Sequence, residues 1–472
     1  SPGAHAGGAA DTRRVDTATL VDGRTTPVEL DDTVMLRIDT HTDSDRRLVE
    51  VALCNDKDTP SRIPVHAWMF QTQLHVETDG SADFLPVRDP MLDSYAEPDD
   101  EIRLLDLQYR NRLEYAIGRT CSVSWHADPD ARRADRVWTT WLPKAETPPT
   151  EPLDDPAVTT DMRALADAGP DQLRAGLTPV ADGYADWITK RAAEAATLPQ
   201  HLRGDADEAI AQARGVLAQL RAGIDTLLTD AEARRCFAFM NQVMADQRVH
   251  SEIVRQRAQD PSLSYAAAVA AVQRQGVRAH SWRLFQLAFV LMQLPALCDP
   301  SLPRRSGSVA EVELLFFPTG GGKTEAYLGL AAFAFAIRRR QGVLDTPDGP
   351  LDGTAGLTVL MRYTLRLLTA QQFQRATTMV CAAELLRQQQ PDLWGTEPFR
   401  IGLWVGSQVS PKTVLDAKEQ VEAAHSSGYS SGLTVLQVRR CPWCGTTIGA
   451  GQVTVDETLS RVLVHCGDPL AT

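Results

Sequence analysis

A lysine and a threonine directly behind three glycines can hold a triphosphate. In Pro318-Thr319-Gly320-Gly321-Gly322-Lys323-Thr324 the glycines permit backbone angles that turn several N–H groups toward one point. The positive end of the following helix adds to the attraction for an anion. Lys323 reaches the β and γ phosphates of ATP and the Thr324 hydroxyl ligates Mg²⁺, which makes these two the candidate catalytic residues. Thr319, Gly320, Gly321, Gly322 and Glu325 complete the candidate cofactor-binding loop. The strict pattern G-x-x-x-x-G-K-[ST] has Phe317 in place of its first glycine, so a plain glycine-rich turn is the alternative. An apolar run before the loop and an Ala/Leu-rich segment after it favour the phosphate-binding reading.

Two further segments offer contacts for a nucleotide base and for a nucleic acid. Arg283-Leu284-Phe285-Gln286 resembles the Q motif of superfamily 2 helicases, in which a glutamine amide meets the donor and acceptor edge of adenine and an aromatic supports the ring; an ordinary amphipathic helix is the alternative. Arg283, Phe285 and Gln286 therefore join the candidate ATP site. Downstream, Leu357 to Gln372 looks like helicase motif Ia, where Arg362, Thr364, Arg366 and Gln371 would meet strand phosphates rather than bases. A solvated arginine face on a helix is the competing explanation.

Cys441-Pro442-Trp443-Cys444-Gly445 has the spacing with which two thiolates bite one tetrahedral ion. His465-Cys466 follows as a source of another ligand, so Cys441, Cys444 and Cys466 are the candidate structural Zn²⁺ ligands, with unmetallated thiols as the alternative. The acidic motif that completes Mg²⁺ binding in helicases has two mimics. Asp207-Glu208-Ala209-Ile210 precedes the loop in a helical pattern, and Val453-Thr454-Val455-Asp456-Glu457 falls between cysteines where a hairpin is expected. Neither sits where that motif belongs.

The elements that must position these residues follow from periodicity. Residues 1–30 read as a flexible tail, and 31–143 as an N-terminal mostly-β domain, with β-prone runs at Val34 to Ile38, Val49 to Leu53, Ala67 to Phe70 and Leu74 to Val76. Residues 144–160 form a Pro-rich linker. Residues 161–280 read as a helical domain, in which Ile210, Ala213, Val216, Leu217 and Leu220 recur at helical spacing and Phe237, Phe239, Met240 and Val243 are core. From 281 to 436 the alternation of strand, glycine turn and helix predicts a parallel sheet with strands at Val312 to Phe317, Leu357 to Met361 and Phe399 to Val405. Residues 437–472 read as a partial zinc-ribbon-like segment.

At 472 residues the chain can bury several cores. A hydrophobic share of 43% with 23% charged residues is ordinary for a globular protein, and no apolar run approaches the roughly 18 residues of a membrane span. Eight scattered cysteines do not make a disulfide framework. A reducing cytoplasm is the expected compartment, and no signal peptide is read at the start. The net charge of −13 excludes a chain coated in DNA-binding surface but leaves room for a local groove.

Taken together, the loop from Phe317 to Tyr327, the stretch Met361 to Gln372 and the Cys441/Cys444 knuckle resemble the DrmA family, the superfamily 2 helicases of the bacterial DISARM antiphage system. Tyr109 to Tyr115 is similar to the N-terminal region of that family. The resemblance implies a multidomain protein with an incomplete α/β RecA-like P-loop lobe. It also implies an ATP-dependent DNA helicase or translocase acting in bacteria on single-stranded or overhanging DNA with a DrmB-like partner protein. A P-loop ATPase that remodels RNA or protein, and a nucleotide-gated scaffold that binds DNA without hydrolysis, are the rival functions.

Overall fold

The computed structural model describes residues 11–43, 46–94, 99–128, 130–143, 153–305, 307–316, 321–346, 349–362, 366–404, 410–427 and 433–468. The chain divides into two units, residues 1–147 with 198–205, and residues 148–197 with 206–472.

Unit 1 is built on β-branched and alternating runs. Strands β1 (Thr26–Asp31), β2 (Val34–Asp43) and β3 (Arg46–Asn55) form an antiparallel meander in the order β1-β2-β3. Ile38 on β2 faces inward at 5% exposure while its neighbour Arg37 faces out, the two-residue period expected of a half-buried sheet. A second sheet has the order β4-β6-β5, from β4 (His75–Glu77), β5 (Ser122–Asp128) and β6 (Arg133–Thr140), with helix α1 (Asp100–Tyr109) between β4 and β5 in sequence. Asp99 caps α1 by accepting the Ile102 N–H at 2.8 Å. The β-rich character matches expectation. Ala67 to Phe70, read as a strand, is instead a short helical turn running into coil, because the prolines at 60 and 64 interrupt ladder pairing there.

Unit 2 is predominantly helical. Its helices are α2 (Met162–Asp167), α3 (Pro170–Ala195), α4 (Gln200–Thr229, from Ala206 onward), α5 (Ala231–Gln259), α6 (Tyr265–Gln273), α7 (Leu284–Cys298) and α8 (Lys323–Gln341). After α8 comes a small hairpin of β7 (Val343–Thr346) and β8 (Gly349–Asp352), then α9 (Arg366–Gln389), α10 (Pro391–Trp394) and α11 (Val414–Ser427). A final hairpin pairs β9 (Val453–Asp456) with β10 (Arg461–Val464). Helix α5 is central and packs on α2, α8 and α9. Phe237, Met240 and Met244 line its fully buried face, with Phe239 and Val243 beside them, so the residues read as core are core. One hydrophobic cluster joins these side chains to Leu287 and Leu291 of α7, Phe333 of α8 and Met379 of α9. Helices α4 and α7 cross so closely that a Cβ at Gly223 would lie 1.9 Å from the Leu291 carbonyl oxygen, which only glycine tolerates. The buried polar Asn241 is satisfied, accepting from Trp282 Nε1 at 2.7 Å and donating to Phe237 O at 2.9 Å.

The anticipated parallel sheet is not formed among the described residues, where every strand pair is antiparallel. Residues 311–316, 357–361 and 399–404 carry no strand. Apolar composition does not make a strand by itself, since the backbone needs a lateral partner for its N–H and C=O groups. Val312, Leu314, Phe316, Leu357, Leu360 and Trp404 all stand exposed, Val312 at 96% and Trp404 at 101%.

Past the end of α9 the chain is tied back by one carboxylate. Glu384 accepts Nε and a terminal nitrogen of Arg387 at 2.8 and 2.7 Å and the Phe399 N–H at 2.9 Å. The Arg387 contacts, opposed by burial and helped by the Phe399 N–H, pull its carboxyl down to about 2 from an ordinary 4.5. A depressed carboxylate stabilises the fold above its unfolded pKa and loses that contribution as pH falls through the folded one. Glu384→Gln is therefore expected to lower stability at neutral pH by on the order of 1–3 kcal/mol. In denaturant titrations the gap from the parent should close between about pH 4.5 and 2; a gap independent of pH would show that the charge is irrelevant.

Candidate functional site

Two glycines, a buried glutamine and an arginine set the turn that leads into α8. Gly322 caps α8 with φ 93°, a left-handed angle that suits glycine, and a Cβ there would lie 2.7 Å from Gln286 Nε2. Gln286 on α7 is 1% exposed. Its Oε1 accepts the Arg283 N–H at 2.8 Å and its Nε2 donates to Gly322 O at 2.7 Å. Arg283 donates to Gly321 O at 2.5 Å. Two side chains from the start of α7 thus fix two successive peptide planes of the loop. Gln286 is engaged by main chain at both ends, so in this arrangement it braces the loop. Phe285 is half-buried one position away.

Helix α8 begins at Lys323, with Thr324 and Glu325 in its first turn. Lys323 and Thr324 are half-buried and Glu325 is buried. A lysine at the first position of a helix is at the wrong end of the helix dipole. Its placement is rational when an anion occupies the space ahead of the helix, where dipole and ammonium then act together. Phe317, Pro318, Thr319 and Gly320 lie outside the described residues, as does Thr364. Of the residues read as strand-phosphate contacts, Arg362 and Gln371 are exposed, Gln371 on α9; Arg366 opens α9, and its side chain is not among those described. The structure brings Arg283, Gln286, Gly321, Gly322 and Glu325 together at the loop. Among the described residues no bond joins Arg362 or Gln371 to that group.

A second candidate site lies later in the chain. Cys441 and Cys444 are buried, Cys466 is nearer the surface, and none is in a disulfide. The three sulfurs lie within 4.8 Å of one another, Cys444 and Cys466 at 3.5 Å. Thiolates about 2.3 Å from one tetrahedral ion stand roughly 3.8 Å apart, so the trio suits three corners of a structural Zn²⁺ site. The turn is closed by Gly445, whose N–H bonds Cys441 O at 2.9 Å with φ at 78°. Burial pushes the Cys441 thiol up to about 12. At Cys444 burial also works upward, but hydrogen bonding centred on Thr446 outweighs it and brings the thiol below its ordinary value. His465 is outside the cluster; it is the adjacent Cys466 that turns inward, while the His465 N–H bonds Gln452 O at 3.0 Å. Asp456 and Glu457, the downstream mimic of an acidic motif, belong to the β9/β10 hairpin, and Glu457 accepts from Lys418 at 2.5 Å. Asp207 and Glu208 lie on α4.

The knuckle is seated on the helical core. The ring of Trp443 stacks on His250 of α5 at 3.4 Å between centroids, and His250 Nδ1 bonds Trp443 O at 2.8 Å. Thr378 of α9 donates to Pro442 O at 2.9 Å. Arg257 of α5 donates to Cys444 O and, at 3.2 Å, to Thr446 Oγ1. Sequence reasoning missed His250, Arg257 and Thr378, whose only signal is spatial.

Among the described residues no helix is long and apolar enough to cross a membrane. No family model matches the chain. Over 352 residues it is 30% identical to the DISARM protein DrmA of Bacillus paralicheniformis, a match that covers 72% of this chain and 29% of that protein. The chain thus spans less than a third of the length of that relative. With the glycine turn before α8 and the cysteine knuckle both in place, this similarity makes the chain DrmA-like.

Proposed function

We propose that this chain is the nucleotide-binding part of an ATP-dependent DNA helicase or translocase that serves antiphage defence. The observation that carries the proposal is the Gly321–Gly322–Lys323 turn at the head of α8, with its peptide planes held by Arg283 and Gln286. Lys323 binds the β and γ phosphates, Thr324 ligates Mg²⁺, and the loop glycines approach the phosphate chain as only glycine can. Thr319 and Gly320 complete the loop. The exposed Arg362, with Thr364, Arg366 and Gln371, meets the phosphates of single-stranded or overhanging DNA. Zn²⁺ held by Cys441, Cys444 and Cys466 is structural, since the knuckle is packed against helices rather than open to a substrate. A DrmB-like protein is the partner, and a bacterial cytoplasm the setting.

DNA-stimulated ATP hydrolysis by the intact protein tests the reading; hydrolysis stimulated by RNA alone would favour an RNA remodeller, and nucleotide binding without turnover a scaffold. Because the contacts are to phosphates, affinity for single-stranded DNA should fall with salt with a log–log slope of about −0.7 per contact. Arg362→Ala should lower affinity uniformly across sequences and reduce the slope by roughly one contact. A slope unchanged in that variant would remove Arg362 from the groove.

A further inference from the structure

Arg375 of α9 meets the first turn of α8, and neither it nor Arg248 of α5 belongs to any motif in the sequence. Arg375 bonds Glu325 Oε1 on α8. Glu325 is 8% exposed, and its other oxygen, Oε2, has no hydrogen-bond partner. That oxygen faces the loop, lying 3.3 Å from where a Cβ on Gly322 would stand, with Arg283 Nη1 3.8 Å from the same point. A buried carboxylate with one oxygen unsatisfied is a poorly matched partner, and a pair so matched is open to exchange. Arg248 is anchored through Nε to Ala279 O at 3.2 Å. Burial, then the like charge of Arg283, lowers the Arg248 guanidinium below its ordinary value, with Glu252 acting the other way. Burial, then the charge of Arg248, does the same to Arg375. Arg375 on one oxygen and Arg283 on the loop side therefore stand near one carboxylate at the head of a helix that begins with a lysine. The arrangement carries more positive than negative charge.

We propose that Arg375 is a further phosphate-binding residue: the terminal phosphate oxygens of a nucleoside triphosphate at the loop displace the Glu325 carboxylate from its guanidinium. The planar fork of an arginine suits two phosphate oxygens at once, and Glu325, once displaced, has Arg283 within reach on the loop side. This assignment rests on the loop binding a nucleotide.

Calorimetric titration of the intact protein with ATP and Mg²⁺, and with ADP and Mg²⁺, tests it. Arg375→Ala is expected to weaken ATP binding by about tenfold or more and ADP binding by less than about twofold, because ADP lacks the contacting phosphate. Arg375→Lys should recover part of the ATP affinity. Glu325→Gln removes the competing charge and should tighten ATP binding severalfold, an effect opposite in sign to that of Arg375→Ala. A merely structural ion pair would weaken binding from both sides. Equal losses for ATP and ADP in Arg375→Ala, or weaker ATP binding in Glu325→Gln, would overturn the role of Arg375 and leave the loop assignment standing. Should Arg375→Ala fail to fold, Arg375→Lys and Glu325→Gln, which keep the volume of the pair, decide the question. Absence of nucleotide binding by the parent, with Lys323→Ala no different from it, overturns both.

Discussion

Lys323→Ala is expected to lower the affinity for ATP and Mg²⁺ about a hundredfold and to abolish turnover in the intact protein while the chain still folds. A charge-assisted contact to phosphate is worth roughly 1.5–3 kcal/mol, and about 2.7 kcal/mol is a factor of one hundred. A residue kept for packing loses stability when truncated, whereas one kept for a ligand loses binding alone. Isothermal titration together with thermal unfolding separates the cases, and undiminished turnover would mean that another loop holds the triphosphate.

Removing metal should unseat the C-terminal module. Cys441 and Cys444 contribute to a small cluster with Val421, Ala424, Leu433, Leu436, Ile448 and Val453, too few apolar side chains to hold α11, the knuckle and the β9/β10 hairpin without a staple. Structural Zn²⁺ sites contribute folding free energy directly, with apparent binding free energies of about 10–16 kcal/mol in isolated fingers. Elemental analysis of the purified protein is expected to give about one zinc per chain. Chelation, or Cys444→Ser, should strip hydrogen-exchange protection from residues 414–464 while α2 to α5 stay protected. A chain that holds no zinc and exchanges identically with and without chelator would return the trio to the class of buried thiols.

The sequence made some of this architecture legible and hid the rest for a physical reason. Ile210, Leu217 and Leu220, like Phe237, Met240 and Val243, are buried as their spacing requires, because helix periodicity is set by near neighbours, whereas Ala213 of the same stripe is half-buried and Val216 is exposed. The knuckle was legible because its two-residue gap is itself the bite, and Cys466 joins it in space. Strands are another matter. The apolar runs beginning at Val312, Leu357 and Phe399 were read from composition, but pairing is decided by partners distant in sequence, and among the described residues these runs have none. At the loop, glycines, lysine and threonine announce themselves, and so does the glutamine that braces them. Arg375 does not, because it meets Glu325 across 50 residues of chain.

The two residues between Cys441 and Cys444 are the ones that bind the helices: Pro442 through its carbonyl to Thr378, and Trp443 through its ring and carbonyl to His250. An ion held by those cysteines could not leave by simple opening of the knuckle, because widening the gap between the sulfurs drags both intervening residues off α5 and α9. Release by that route would then be only as fast as the undocking, and its rate would report on helix contacts rather than on the strength of the two sulfur ligands.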